Sequence, residues 1–520
     1  MLLLCTQLIA FSQFDTAAKF AATITAGDLK KQLTVIASEE MEGRETGTEG
    51  QRKAAAYIES QFKSMGLQPA PALNSYQQLY PLYQDSVINS ELMVGGKTAE
   101  FGKDYYTQAN ISETGNFKSK KIAFVGYGID DSTYSDYTGI DVKGKVVVFF
   151  SGEPRKDGKY LVTGTNRYSE WSFPGTNKKL AAAAARGAVG AFIINPIQAT
   201  FTQRTIEINK KSNVYFPRTS PGNKMTLHAF LSHAFAATVI TKNFDTLLKM
   251  SRASQPIGRE WFFENKVKTS FDYNKQRTVI DASNVIGVLE GTDKKDEFVF
   301  LTGHYDHLGK HDGKIFYGAD DDGSGTCAVL EMADAFSQAK AAGFGPRRTI
   351  VFMTVSGEEK GLWGSEYYSD HPVFPLEKTS VDLNTDMVGR IDTERKTGDT
   401  LNYVYVIGHD KLSSELPGIN EGVNNKYTQL VFDYKFDDPK DLNRIYFRSD
   451  HYNFAKKGVP ILFFYDGMLK ADYHKPTDTI DKIYWDLYEK RVRMIFHTAW
   501  DIANREDILK RDIPLTETAR

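Results

Sequence analysis

Residues 298–307 read FVFLTGHYDH and join a short apolar run to two histidines and an aspartate. The run Phe298–Leu301 is typical of a β-strand, and the polar residues follow where that strand ends. The segments TIVFMTVSGEE (349–359) and VDLNTD (381–386) have the same form, with carboxylates after an apolar run. Because the carboxyl ends of strands form the ligand crevice of an open α/β sheet, we expect these side chains to converge there.

The chain around these segments shows a regular alternation of patterns. Strand and helix patterns alternate from about Asn284 to Asp501, and a second helical region covers about Leu29–Leu67. Such alternation predicts an α/β fold with a mixed, mostly parallel sheet flanked by helices. We predict a catalytic domain in two pieces, 26–110 and 266–510, interrupted by a smaller inserted α/β domain over 111–265. The inserted stretch has no cluster of histidines and carboxylates.

Composition limits the classes of function. A length of 520 residues predicts more than one domain, and a net charge of -2 gives no general attraction to nucleic acid, so we expect no nucleic-acid partner. No transmembrane segment is expected, because no later stretch approaches the ~20 apolar residues of a membrane span. The opening MLLLCTQLIAFS is an apolar run with a small-x-small end and predicts a signal peptide over 1–12, hence a secreted or periplasmic protein. Cys5 also allows a lipid-anchored form.

The candidate site is a set of imidazoles and carboxylates. Besides the strand ends, it includes the segments GADDDG (318–323) and DYHKP (472–476). Imidazole and carboxylate together suit zinc. One metal ion with three protein ligands would use part of this set, whereas two ions that share a carboxylate would use all of it. The neighbours Glu358 and Glu359 then supply one general base and one ligand.

These five segments, in this order, resemble the M28 family of co-catalytic zinc peptidases, which includes bacterial aminopeptidases and glutamate carboxypeptidases. The resemblance covers about Leu29–Leu67 and Asn284–Ile502, and the inserted region resembles the protease-associated domain of many members. It implies the zinc-exopeptidase fold, two Zn2+ ions per chain and hydrolysis of peptide substrates at chain ends. An aminopeptidase is the favoured reading, with a glutamate-type carboxypeptidase or a one-zinc glutaminyl cyclase as alternatives. No oligomeric state is indicated.

The resemblance also implies a role for each site residue. The zinc ligands would be His304 and Asp386 for one ion, Glu359 and His474 for the other, and Asp321 as the bridge. Glu358 would be the general base, and Asp306 would hydrogen-bond His304 and fix its tautomer. Asp450 and His451 would either line the substrate pocket or orient its loop. The candidate donors to an oxyanion are Tyr446, Tyr452 and Tyr465.

Some residues near the site have competing interpretations. Residues 320–331 match several positions of an EF-hand calcium loop, but the preceding residues do not have a helical pattern. His307 and His311 lie close to the site in sequence but match no ligand position. Motifs of serine hydrolases and nucleotide enzymes are absent from the sequence.

Overall fold

A computed structural model describes residues 15–172, 175–217, 226–240, 243–438 and 440–516. The predicted signal peptide lies outside these ranges, so export stays a prediction. The chain divides into two compact units. We call the part up to Tyr80 and from Asp281 onward the split unit, and Pro81–Ile280 the inserted unit. Among the described residues, none of the helices combines the length and the hydropathy that a membrane span requires.

Helices and strands alternate along much of the described chain. The helices are α1 (Thr16–Ala21), α2 (Ala26–Ile36), α3 (Glu49–Ser64), α4 (Thr176–Ala185), α5 (Gln203–Lys210), α6 (His233–Val239), α7 (Phe244–Arg252), α8 (Gly323–Ala341), α9 (Trp363–Asp370), α10 (Leu416–Tyr427), α11 (His451–Lys456) and α12 (Trp485–Asn504). The strands are β1 (Gln77–Val94), β2 (Lys97–Ala99), β3 (Tyr105–Tyr106), β4 (Gly115–Ser119), β5 (Ile122–Phe124), β6 (Val146–Phe150), β7 (Arg155–Lys156), β8 (Lys159–Tyr160), β9 (Gly190–Ile194), β10 (His228–Leu231), β11 (Phe263–Asn265), β12 (Thr269–Leu289), β13 (Lys294–His304), β14 (Gly309–His311), β15 (Lys314–Phe316), β16 (Arg348–Val355), β17 (Thr379–Thr385), β18 (Tyr403–Ile407), β19 (Val431–Asp433) and β20 (Ile461–Tyr465).

The split unit is built on one mixed sheet. Its strands lie in the order β19, β18, β20, β17, β13, β16, β12 and β1. The central strands β16, β13, β17 and β20 run parallel to their neighbours in this group, whereas β12 and β18 are antiparallel to β16 and β20. The prediction of a mixed, mostly parallel sheet in an α/β fold is therefore confirmed.

Apolar layers on both faces hold β13 in the centre of this sheet. Val299 and Leu301 belong to a core with residues of α2, α3, α8 and α12, while Phe298 and Phe300 belong to a core with residues of α9 and α11. This alternation follows from the two-residue period of a strand. Burial of each such side chain contributes about 1.5–3 kcal/mol to folding. The position of His304, the last residue of β13, is fixed by this packing.

The inserted unit has a sheet of its own, in the order β11, β5, β6, β9, β10 and β3, with β5, β6, β9 and β10 parallel. Buried apolar clusters cover both faces. The unit is wider than the predicted 111–265 on both sides. The reason is that β2 pairs with Leu92–Val94 of β1, and β4 pairs with Thr269–Tyr273 of β12. Those pairings keep the flanking strand segments within the inserted unit.

Candidate metal centre

Three adjacent strand ends bring the predicted side chains together. In the register of the sheet, His304 at the end of β13 lies beside Val355 at the end of β16. Thr302 of β13 lies beside Asn384 of β17, two residues before Asp386. Neighbouring parallel strands end at one edge of the sheet, so side chains that directly follow them share one crevice. The expected convergence at this edge is what the structure shows.

The turn before α8 carries three consecutive aspartates with different surroundings. Asp322 accepts hydrogen bonds from the backbone N–H of Gly325 (2.8 Å), at the start of α8, and of Met387 (3.0 Å). Asp320 accepts one from the loop after β17 at 2.8 Å. The carboxylates of Asp320 and Asp322 thus accept hydrogen bonds from backbone N–H groups. The carboxylate of Asp321, in contrast, faces the histidines. The hairpin of β14 and β15 precedes this turn, so the helix that an EF-hand needs is not there.

Asp321 lies between two imidazoles. Its Oδ1 is 3.3 Å from His304 Nε2, and its Oδ2 is 3.2 Å from His474 Nε2. On one side, Asp386 Oδ1 lies 3.6 Å from His304 Nε2. On the other, Glu359 Oε2 lies 2.9 Å from His474 Nε2. The five predicted ligands therefore form two groups that share Asp321, as a bridged pair of ions requires.

Several of these ligand atoms are buried without a hydrogen bond. Among the described residues, His304 Nε2, Asp321 Oδ2 and Glu359 Oε1 have no hydrogen-bond partner. They approach other donor atoms closely, yet none of these contacts has the alignment of a hydrogen bond. Buried polar atoms without partners are costly, and a cation among them would remove that cost. The donor set of imidazole and carboxylate fits zinc.

The imidazoles and Asp321 shift one another's pKa values in directions that a bound cation would change. Burial acts to lower the pKa of His474, but the close carboxylates of Asp321 and Glu359 outweigh it and raise the value to about 10. Burial acts to raise the pKa of Asp321, but the close imidazoles of His304 and His474 outweigh it and hold the pKa well below its usual range. Metal binding requires neutral imidazoles, so a cation would displace protons from these rings.

Glu358 lies next to the five predicted metal ligands, and it approaches only one of their two imidazoles. Its Oε2 is 3.9 Å from His304 Nε2, and it lines a small cavity with Asp321 and Asp386. Burial raises the pKa of Glu358 well above its usual range, and the charge of His304 opposes that rise only in part. A raised carboxyl pKa is typical of a group that exchanges protons during a reaction.

Asp306 contacts His304 differently from the prediction. The Nδ1 atom of His304 lies 3.1 Å from the backbone carbonyl oxygen of Asp306, whereas the Asp306 carboxylate is 3.6 Å away. That carboxylate instead accepts hydrogen bonds from the Thr46 hydroxyl (2.6 Å) and the Glu358 backbone N–H (3.2 Å). The contact that fixes the His304 ring is thus made by the main chain, and the Asp306 side chain holds the backbone of Glu358.

His307 belongs to the cluster, although the sequence patterns gave it no role there. Its side chain is fully buried, with Nδ1 2.8 Å from Glu359 Oε1 and 3.9 Å from Asp321 Oδ2. Neither ring nitrogen forms an aligned hydrogen bond with a described residue. Gly318 allows this packing, because a Cβ atom there would lie 2.5 Å from the His307 ring. The signal that could have indicated it is its place, three residues after His304.

Asp450 and His451 are buried and do not line the cavity beside Glu358. Asp450 is fully buried and accepts a hydrogen bond from the Ser365 hydroxyl at 2.5 Å; burial raises its pKa to about 7. His451 is also buried, with Nε2 2.9 Å from the Tyr446 carbonyl oxygen. The residues that line the cavity beside Glu358 include neither of them. Of the two predicted roles, these contacts fit the orientation of the loop.

Comparisons with known proteins agree with this geometry. Residues 284–499 match the protein-family model described as Peptidase family M28. A protein of Arthroderma otae named "Probable leucine aminopeptidase" is 29% identical over 215 residues, 40% of this chain and 55% of that protein. A "Probable zinc metalloprotease" of Pyrenophora tritici-repentis is 25% identical over 203 residues, 38% of this chain and 44% of that protein. The chain thus spans about half the length of these relatives.

A solved structure shares the fold. "Aminopeptidase from Aneurinibacillus sp. strain AM-1" superposes with a TM-score of 0.50 at 18% identity, covering 97% of this chain and 98% of that chain. All five residues of the bridged cluster, as well as Glu358 and His307, lie within the matched residues 284–499. By sequence, residues 284–499, which include all of these side chains, are therefore identified as a region similar to peptidase family M28, and the solved structure shows the shared fold.

Proposed function

We propose that this protein is a two-zinc exopeptidase that removes residues from the amino-terminal ends of peptides. The observation that carries the proposal is the position of Asp321, with one carboxylate oxygen 3.3 Å from His304 Nε2 and the other 3.2 Å from His474 Nε2. A one-zinc site has no need of such a bridge, which disfavours the glutaminyl cyclase alternative. The relative named leucine aminopeptidase is matched over 55% of its length, whereas two relatives named glutamate carboxypeptidase are matched over 16% and 26%, and this difference supports an aminopeptidase over a carboxypeptidase.

The chain's own residues can perform the proton transfers of peptide hydrolysis. Bound zinc ions would supply an activated water and a Lewis acid for the scissile carbonyl. Glu358 lines the cavity next to the cluster and can take a proton from the attacking water and return it to the departing amine. The hydrogen bond from its backbone N–H to Asp306 keeps Glu358 in place for both transfers.

A tyrosine completes the arrangement. Of the three tyrosines considered as oxyanion donors, Tyr465 is the one that lines the cavity with Glu358. Its hydroxyl is buried and has no hydrogen-bond partner among the described residues. A buried donor aimed at a cavity costs free energy unless a ligand accepts its hydrogen bond. We infer that the Tyr465 hydroxyl donates to the carbonyl oxygen as negative charge develops there.

A peptide end-group assay tests the proposed function. The zinc-loaded protein is incubated with a pentapeptide that begins with an unblocked Gln, with its N-acetylated form and with its C-terminal amide, and the products are identified by mass spectrometry. We expect stepwise loss of residues from the amino terminus of the free and amidated peptides, and no cleavage of the acetylated one. Cleavage from the carboxyl end, or cyclisation of an N-terminal Gln without hydrolysis, would overturn the proposal. The variant Glu358→Gln controls for contaminating peptidases.

A further inference from the structure

One positively charged side chain, that of Arg448, lines the small cavity beside Glu358. Apart from Glu358 and two carboxylates of the metal cluster, its lining consists of apolar side chains, Tyr465, Tyr473 and Arg448. Arg448 lies between the turn Ile445–Phe447 and α11, and it is exposed. All of these residues belong to the split unit.

Arg448 has hydrogen-bonding capacity that the protein does not use. Its Nη2 donates to the Tyr473 hydroxyl at 3.0 Å. Within the described residues it forms no ion pair, in contrast to Arg390, which lies 2.8 Å from Asp472. A guanidinium has five N–H donors in a planar fork that matches a carboxylate. The remaining donors of Arg448 are therefore free to bind an anionic group in the cavity.

The position of Arg448 relative to the metal cluster limits where that group lies in a substrate. The Tyr473 ring stacks on the ring of His474, with centroids 3.8 Å apart. Arg448 is thus one side chain away from a predicted ligand, and a peptide residue spans only about 3.3–3.6 Å. A carboxylate that reaches Arg448 must belong to a residue that flanks the scissile bond.

We propose that Arg448 binds a substrate carboxylate next to the scissile bond, so that the enzyme favours peptides that carry one there. This inference rests on the proposed exopeptidase function. The carboxylate has two possible sources: the free carboxyl terminus of a dipeptide, or an acidic side chain of the residue after the scissile bond. Both present two oxygens to the same fork, and pairing with a guanidinium is bidentate in either case.

Three dipeptide substrates separate these sources. Leu-Ala has a terminal carboxylate, Leu-Ala-amide has none, and Leu-Glu-amide has only the side-chain carboxylate. We expect kcat/KM for one or both carboxylate substrates to exceed that for Leu-Ala-amide by roughly 10- to 100-fold, the size of a charge-assisted hydrogen bond. In Arg448→Gln the ratio of kcat/KM between the carboxylate substrates and Leu-Ala-amide should fall close to one. Arg448→Lys should restore part of this ratio. Arg444→Gln removes an exposed arginine from the same loop, outside the cavity lining, and should retain the preference.

The outcomes distinguish this inference from the proposed function. Equal kcat/KM values for the three substrates in the native protein would overturn the role of Arg448 while leaving the exopeptidase intact. An equal loss for all substrates in Arg448→Gln, with the preference retained, would show that Arg448 only supports the structure. If no substrate is hydrolysed, the role of Arg448 can still be tested by measuring the binding of these dipeptides with calorimetry. Leu-Ala should bind Glu358→Gln more tightly than Leu-Ala-amide does, and adding Arg448→Gln should remove the difference; no difference at the start contradicts the inference.

Discussion

The carboxylate of Asp478 holds the backbone of Asp321. Its Oδ2 accepts a hydrogen bond from the Asp321 N–H at 3.1 Å and another from the Asp320 N–H at 3.0 Å. Asp478 is fully buried and lies 157 residues away from Asp321 in sequence. The residue that bridges the two imidazoles is therefore oriented by a carboxylate that contacts only its main chain.

This relationship predicts that Asp478→Ala weakens metal binding although Asp478 is not a ligand. Loss of a residue that orients a ligand typically lowers metal affinity by about 10–100-fold. Because Asp321 is shared, both ions should be affected. Competition with a chromophoric chelator would measure the affinities, and circular dichroism would establish that the variant is folded. The matched control is Asp481→Ala, an exposed aspartate on the same segment, and equal affinity in both variants would contradict the prediction.

The arrangement of the cluster predicts two zinc ions per chain and a separate group for each. His304→Ala should remove the ion next to Asp386, and His474→Ala the ion next to Glu359, so each variant should retain one. Asp321→Ala should lose both, because the shared carboxylate holds both groups together. Elemental analysis after zinc loading and dialysis would measure the content. One ion or none in the native protein would show that the bridge does not serve two metals.

The strand-end part of the site could be predicted because it depends on local sequence. An apolar run that ends in His304, Glu358 or Asp386 specifies both a strand and the edge at which it ends. Parallel neighbours then bring these side chains together, whatever the rest of the chain does. The central sheet of the split unit was predictable for the same reason.

Other parts of the site depend on contacts that no pattern encodes. His307 lies beyond the end of β13, so the strand period does not give its direction. Asp478 acts on Asp321 only after two distant loops pack together. The limits of the inserted unit were likewise set by pairing partners, since β4 and β2 extend it along strands that continue into the split unit's residues.

Glu358 and Glu359 are adjacent but should respond differently to the same substitution. Glu358→Gln removes the proton acceptor and retains the ligands, so we expect both metals to stay bound and kcat to fall by about 10²–10⁴-fold. Glu359→Gln removes a ligand oxygen 2.9 Å from His474 Nε2 and should release the ion on that side. Metal analysis and turnover of an aminoacyl-anilide, measured on the same samples, separate the two effects. Two variants with native metal content and activity would refute both assignments.

In the inserted unit, the buried Asp85 predicts a pH-dependent stability. Burial acts to raise its pKa, but hydrogen bonds from Arg277 (2.9 Å), Lys275 (2.7 Å) and Tyr215 (2.5 Å) outweigh it and lower the value. A folded-state pKa below the unfolded value of about 3.9 adds stability at higher pH, and this contribution is lost as pH falls through the folded value.

We therefore expect Asp85→Asn to destabilise the protein at pH 7 by about 3 kcal/mol, because the buried Lys275 loses its close counter-charge and retains only the exposed Glu113, 3.7 Å away. The difference from the native protein should shrink as the pH falls below about 4. Urea unfolding at several pH values measures it. Asp141→Asn, at an exposed carboxylate 4.0 Å from Lys145, should change little at any pH. A difference for Asp85→Asn that is independent of pH would argue against the ion pair as its source.

His307 offers a test of whether the third imidazole acts on the metal cluster. Its Nδ1 atom lies 2.8 Å from Glu359 Oε1, and Glu359 belongs to the group that contains His474. We expect His307→Asn to weaken the ion of the Glu359 and His474 group by about 10-fold or more, because a lost neighbour leaves the Glu359 carboxylate less well oriented. The ion of the His304 and Asp386 group should keep its affinity. Stepwise metal titration by calorimetry resolves the two ions, and His311→Asn, an exposed histidine four residues on, is the matched control. Equal weakening of both ions would point to a general disturbance of the fold, whereas native affinities at both would show that His307 only fills space beside Gly318.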